Sequence, residues 1–312
     1  MKLAQYGKPR FIASINIASD QKKVIDVPPG NYAGFLLYAA GTNDTSDDYT
    51  FADNANNAIL RLNNNDLVNL PMGFLADFTN LEHGATGNAS ATAGAFSQSA
   101  VIPCMAKGFA NALHVRSNDV CLLTLDFGTI ADIASGSCEV YALEADYPNI
   151  YMPRFYDVAI TVLSGKVKER IQSANLIQIY GKTASTNLDN VQVEQDQRVI
   201  FNASDGAAIV LCNIDNQIES ALTYWNVVFA DASLQEGLGS KIEIALDGSG
   251  ADTTTVYVFA FDADLNRYRD SIAKVQAVLD RKAVLASDTG GEETVSVVKT
   301  VPSKSRMGYV RD

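Results

Sequence analysis

Histidine is nearly absent from this chain: 312 residues carry two, His83 and His114. The sequence therefore supports no Ser-His-Asp grouping. His114 stands between Leu113 and Val115, so on a strand it points to the opposite face from them. His83 sits at the edge of a bland polar stretch. Both are read as structural. Four cysteines, Cys104, Cys121, Cys138 and Cys212, are single and widely spaced, which leaves no zinc spacing. All four are expected to be reduced, with Cys121 and Cys212 acting as small core hydrophobes in apolar runs. There is one tryptophan, Trp225, within Thr223-Tyr224-Trp225-Asn226-Val227-Val228-Phe229. In so apolar a strand it reads as core rather than as a platform for sugar.

Long hydrophobic runs are missing as well. Phe35-Leu36-Leu37-Tyr38-Ala39-Ala40 is strand-sized, far short of a membrane span. Met1-Lys2-Leu3 leads into polar residues with no apolar signal region, so synthesis in the cytoplasm without secretion is expected. Asn43, Asn88 and Asn202 match the glycosylation pattern, which means little in a chain that is not exported. Neither a phosphate-binding loop nor a dinucleotide fingerprint is present; Gly237-Leu238-Gly239 reads as a turn, as do Asp205-Gly206 and Asp247-Gly248. No catalytic, cofactor-binding or metal-ligating residue is assigned, and no enzymatic activity is expected. Two alternatives stay open. Asp44, Asp47 and Asp48 offer hard oxygens for calcium, against the simpler reading of a solvated acidic loop. A pair of carboxylates distant in sequence would suit a β-sandwich hydrolase.

Charge is scarce, at 19 % of residues, and the mean hydropathy is +0.00. Such a surface fits a protein covered by other subunits, or a large β protein rich in Ser, Thr, Asn and Ala. The formal net charge of −12 argues against nucleic-acid binding by overall field, and no sequence-specific nucleic acid is expected. The ends differ from the body. Residues 1–10 and 299–312 each sum to +3, which leaves −18 on the rest. Basic ends on an acidic body suit a phosphate-bearing surface, lipid or genome; the plainer reading is charged, disordered termini.

What the chain does have is β pattern. Phe11, Ala13, Ile15 and Ile17 alternate with Ser14 and Asn16, the period of a half-buried strand. Further strands are expected at 22–27, 32–40 (with a bend or bulge at Gly34), 58–62, 67–70, 110–116, 119–127 and 137–145. The turn at Asn63-Asn64-Asn65-Asp66 suits a hairpin. In the second half, strands are expected at 155–163, 176–180, 198–201, 207–212, 223–230, 241–246 and 254–262. Residues 41–57 and 83–99 read as exposed loops. Helix is scarce: a turn at 219–222 and one amphipathic segment, Asp270 to Ala286, followed by an extended tail.

The chain is also written twice. Pro9-Arg10-Phe11 opens the first half and Pro153-Arg154-Phe155 the second. Each half closes with a strand, a polar connection and a strand ending in Asp: 120–128 then 140–146, and 242–248 then 256–262. This duplication, with the basic ends and the long loops of the first half, resembles the double jelly-roll major capsid proteins of tailless icosahedral viruses with an internal membrane, the corticovirus and tectivirus bacteriophage types. The openings lie 144 residues apart and the closing strands 116, so the first unit needs a longer insertion, which 41–57 and 83–99 can supply.

The resemblance implies an all-β fold of two tandem eight-stranded jelly-roll β-sandwiches with a short C-terminal helix and extended tail. It divides the chain into a basic arm, 1–10; a first roll, 11–149; a second roll, 150–265; and a helix and tail, 266–312. It implies a major capsid protein of the virion, assembling as a pseudo-hexagonal homotrimer, with neighbouring trimers and penton or minor capsid proteins as partners. The basic termini would face internal membrane lipids. Alternatives are a tandem β-sandwich carbohydrate-binding or adhesion protein, or a viral spike or minor shell protein.

Overall fold

The structure, a computed structural model, describes residues 8–43, 50–51, 55–83, 94–105, 112–130, 133–145, 151–171, 176–183, 187–216, 223–229 and 242–263. The first half runs β1 (Pro9–Asn16), β2 (Lys22–Asp26), β3 (Gly30–Asn43), β4 (Ala55–Leu62), β5 (Asn65–Pro71), α1 (Met72–His83), β6 (Ala95–Pro103), β7 (Leu113–Val115), β8 (Cys121–Phe127) and β9 (Ile133–Glu144). The second runs β10 (Tyr151–Val162), β11 (Gly165–Ile171), β12 (Leu176–Thr183), β13 (Leu188–Gln195), β14 (Arg198–Ser204), α2 (Asp205–Asn216), β15 (Tyr224–Val228), β16 (Ile242–Gly248) and β17 (Asp252–Ala263).

Three sheets form. One has the order β1-β9-β3-β6, with β7 added on β3; a long one runs β15-β12-β17-β10-β5-β4-β8-β2; the third is β11-β16-β13-β14. If the long sheet is divided between β10 and β5, one arrangement appears twice. With β7 set aside and strands renumbered within each half, both halves pair as 1-8-3-6 against 2-7-4-5. This is a Greek-key sandwich made in duplicate. Alternation explains the layers: along β8, Cys121, Leu123, Leu125 and Phe127 are buried while Leu122, Thr124 and Asp126 are half-exposed, as a period of two requires.

The two copies keep register over a long stretch. β13 begins 133 residues after β4, β14 begins 133 after β5, and α2 begins 133 after α1. The side chains keep it too. Asn57 Nδ2 donates to Asn69 Oδ1 at 2.9 Å, and Asn190 Nδ2 donates to Asn202 Oδ1 at 2.8 Å. Both β-turns before these strands use two left-handed residues, Asn63 and Asn64 in one copy, Asp196 and Gln197 in the other. The offset is 144 at the Pro-Arg-Phe openings and 119 between the starts of β9 and β17. The surplus of the first copy therefore falls before β4 and after α1, in the intervals that hold 41–57 and 83–99.

Several expectations are corrected. Residues 207–212 are not a strand but the middle of α2. Ala-Ala-Ile-Val-Leu-Cys is an apolar run too short for periodicity to distinguish the two, and Asp205-Gly206 opens that helix instead of turning. Helix α1 was not expected, because the polar Thr79 and Glu82 are buried among its apolar residues and blur the stripe. Residues 95–99 belong to β6, with Phe96 buried, and not to a loop. Besides β6, two further strands were not expected: β11, an exposed edge holding Lys166, Lys168, Glu169 and Arg170, and the half-polar β13. The bulge foreseen at Gly34 is present, as a register shift between Tyr32 and Gly34. Most of the arm at 1–10, the acidic loop with Asp44, Asp47 and Asp48, the turns at 219–222 and 237–239, and the helix and tail from 266 lie outside the described residues.

Candidate functional site

The two sandwiches meet along a seam, where aromatic side chains cluster around the buried Glu82. Its frame is the parallel contact of β10 with β5, in which Phe155 pairs with Val68. Arg154 Nη1 donates to the Asp66 carbonyl across it at 3.3 Å. Above this joint α1, from the first sandwich, lies on the outer face of β12, β17 and β15 of the second.

Strand β17 shows why this face is apolar. Val256, Val258 and Ala260 enter the core of the second sandwich, while Tyr257, Phe259 and Phe261 enter the other core, with α1. A strand covered on both sides reads as a continuous apolar run. Phe74 of α1 stacks on Tyr257, centroids 3.6 Å apart and planes at 7°; Phe78 stacks on Phe259 at 5.3 Å and meets Tyr180 edge-on at 5.8 Å. Phe155 closes the cluster, 4.6 Å from Phe259. Such pairs add about 0.5–1.5 kcal/mol each beyond the area they bury.

Three polar contacts bridge the seam. The Tyr224 hydroxyl donates to Asp77 Oδ2 at 2.7 Å, and Lys182 Nζ donates to the same oxygen at 3.2 Å. The Lys182 ammonium also lies 5.0 Å from the centroid of the Tyr224 ring. The Tyr180 hydroxyl donates to the buried Glu82. Burial, then the neighbouring carboxylates, push both phenols above the ordinary range, so each stays protonated and keeps donating. This is the chemistry of a joint: charge-assisted hydrogen bonds inside an aromatic stack.

The residues weighed from sequence alone fall away from the seam or into the core. Leu113 and Val115 are buried while His114 points to the other face, where its Nδ1 lies 2.6 Å from Asn31 Oδ1. All four cysteines are buried free thiols, and desolvation pushes Cys138 up to about 12. Trp225 is fully buried in the second sandwich, which settles it as core. His83 ends α1. Of the seam residues, Arg154 and Phe155 in the repeated Pro-Arg-Phe and the closing strand 256–262 were singled out in advance, but only as marks of the duplication. The available signal was the unbroken run Val256 to Phe261.

No family model matches the chain, and no curated protein matches it in sequence. Solved structures do. The STIV MCP superposes with a TM-score of 0.65 at 9% identity, over 84% of this chain and 99% of that one. The major capsid protein P2 from bacteriophage PM2 gives 0.57 at 11%, over 82% and 98%. The PBCV-1 virus capsid gives 0.55 at 9%, over 81% and 94%. The chain is a double jelly roll. At such identities the likeness is one of fold, and in the double jelly roll described here each roll carries its helix, α1 or α2, between its fifth and sixth strands.

Proposed function

We propose that this double jelly roll is the major shell subunit of an icosahedral virion, working as a homotrimer of pseudo-hexagonal outline. The observation that carries this reading is the in-register duplication of the sandwich, in a fold shared along nearly the whole length of the STIV MCP and the PM2 major capsid protein. Two similar rolls per chain give three chains six similar corners, so one trimer can fill a site with six neighbours. Residues 11–149 and 150–265 are taken as the rolls. Neighbouring trimers and penton or minor shell proteins are the expected partners. The shell surrounds a membrane in this reading, with the +3 ends directed at anionic headgroups. The work is geometric and needs no reactive centre.

The test is light scattering and negative-stain microscopy of the purified chain. The expected result is a three-chain particle with a hexagonal outline. A chain that stays monomeric at high concentration with its fold intact would count against the shell role.

A further inference from the structure

The internal seam is half of a pair. It joins the fifth-strand and helix unit of roll one (β5, α1) to the outer sheet face of roll two (β10, β17, β12, β15). The chain contains the same two halves again: β14 with α2 at one flank, and the outer face of β1, β9, β3 and β6 at the other. In these copies Val210 and Leu211 of α2 and the Phe11 and Tyr38 end of the sheet face are exposed, while Ala33, Val101 and Leu143 on the same face are covered within the chain.

The change in exposure follows the repeat residue by residue. Phe78, 4 % exposed in the seam, corresponds at offset 133 to Leu211, which is 50 % exposed; Asp77 corresponds to Val210, at 56 %. Residues turned toward the helix's own roll behave differently: Leu75 and Thr79, and their counterparts Ala208 and Cys212, are all buried. On the opposite flank, Phe155 is 1 % exposed and its repeat partner Phe11 is 54 % exposed. Strand pairing extends the match. Phe155 pairs with Phe259 and Phe11 with Tyr141; Tyr180 pairs with Tyr257 and Tyr38 with Glu139. Tyr38 thus occupies the position of Tyr180, and it is exposed.

The two free halves also complement each other. Inside the seam Asp77 meets Lys182 and Tyr224. At the free copies Asp77 becomes Val210, and the same ladder positions become Ala40 and Ser97. A charged helix position faces a cation and a phenol, whereas an apolar one faces small residues.

We infer that β14 and α2 of one copy dock on β1, β9 and β3 of a second copy, repeating the internal seam between molecules. Phe11 of one chain then lies beside Phe201 of the next, as Phe155 lies beside Val68. Arg10, now 3.5 Å from Glu144 and half-exposed, reaches the carbonyl of Val199 as Arg154 reaches that of Asp66. The contact is head-to-tail, so it closes a ring when the rotation permits. This assignment rests on the shell-subunit reading and names the surface that reading requires.

The test pairs disruption with cross-linking. Leu211→Asp and Phe11→Asp each place a carboxylate in the joint from one side. Both sites are exposed in the single chain, so circular dichroism should match wild type and melting should match wild type diluted to the monomer, while association weakens about 30-fold or more. Separately, Phe11→Cys and Phe201→Cys chains are co-expressed and treated with a short bismaleimide; the native thiols are buried. Covalent dimers should form between unlike variants only. A wild-type trimer that survives both substitutions, or cross-links between like chains, overturns this interface and leaves the shell reading standing. A wild-type chain that never associates overturns both.

Discussion

At the scale of single residues, Gly181 and Trp225 show how one position dictates another. They face each other across β12 and β15. A Cβ built on Gly181 would lie 2.1 Å from two carbons of the indole. Glycine is there because the ring crosses its backbone. The indole nitrogen finds no hydrogen-bond partner among the described residues, a cost of about 1–3 kcal/mol that only a well-packed ring can offset. Gly181→Ala should therefore destabilise the chain by about 1–3 kcal/mol through overpacking. Urea denaturation followed by the fluorescence of this sole tryptophan measures it directly. An unchanged midpoint would mean that the indole has room the structure does not show.

At the scale of elements, α1 and α2 are the same helix in two environments. Phe78→Ala, which empties part of the seam, should cost about 3–5 kcal/mol. Its repeat counterpart, Leu211→Ala, should stay within about 0.5 kcal/mol when measured in a monomeric background such as Phe11→Asp. Equal costs for the two would contradict the difference in burial. The same contrast explains what was legible in the sequence. An alternating strand such as β8 could be read because one face is wet and one dry; on β1 the bulge between Phe11 and Ala13 turns Phe11, expected on the buried face with Ala13 and Ile15, outward. The Pro-Arg-Phe repeat and the paired closing strands carried the duplication, and with it the fold class. Helix α1 escaped because, covered on both sides, it buries the polar Thr79 and Glu82 beside its apolar residues, which blurs the stripe. β11 escaped because an edge strand protected by lysines and a glutamate reads as loop. The seam itself was out of reach: Phe11 and Phe155 sit in identical tripeptides, and only the fold separates the exposed one from the buried one.

At the scale of the whole molecule, the rolls share more than a linker. The β5–β10 contact carries one sheet through both, and Phe155, Tyr180, Tyr224 and Phe259 of the second roll belong to the larger core of the first. Removing either roll would expose that shared face, so neither should unfold alone. Calorimetry of the chain should give one cooperative transition, with calorimetric and van't Hoff enthalpies in agreement. Two resolved peaks would show instead that the joint is weak and the rolls melt independently.

The seam has a further consequence. A joint that recurs around a closed circuit passes its own bend to every step of that circuit. If the inner and outer joints match, the packing of Phe74 and Phe78 between the rolls is also the gauge for how many units complete one lap. Reshaping those two rings would then miscount the lap and spoil its closure, beyond what it costs the single subunit in stability.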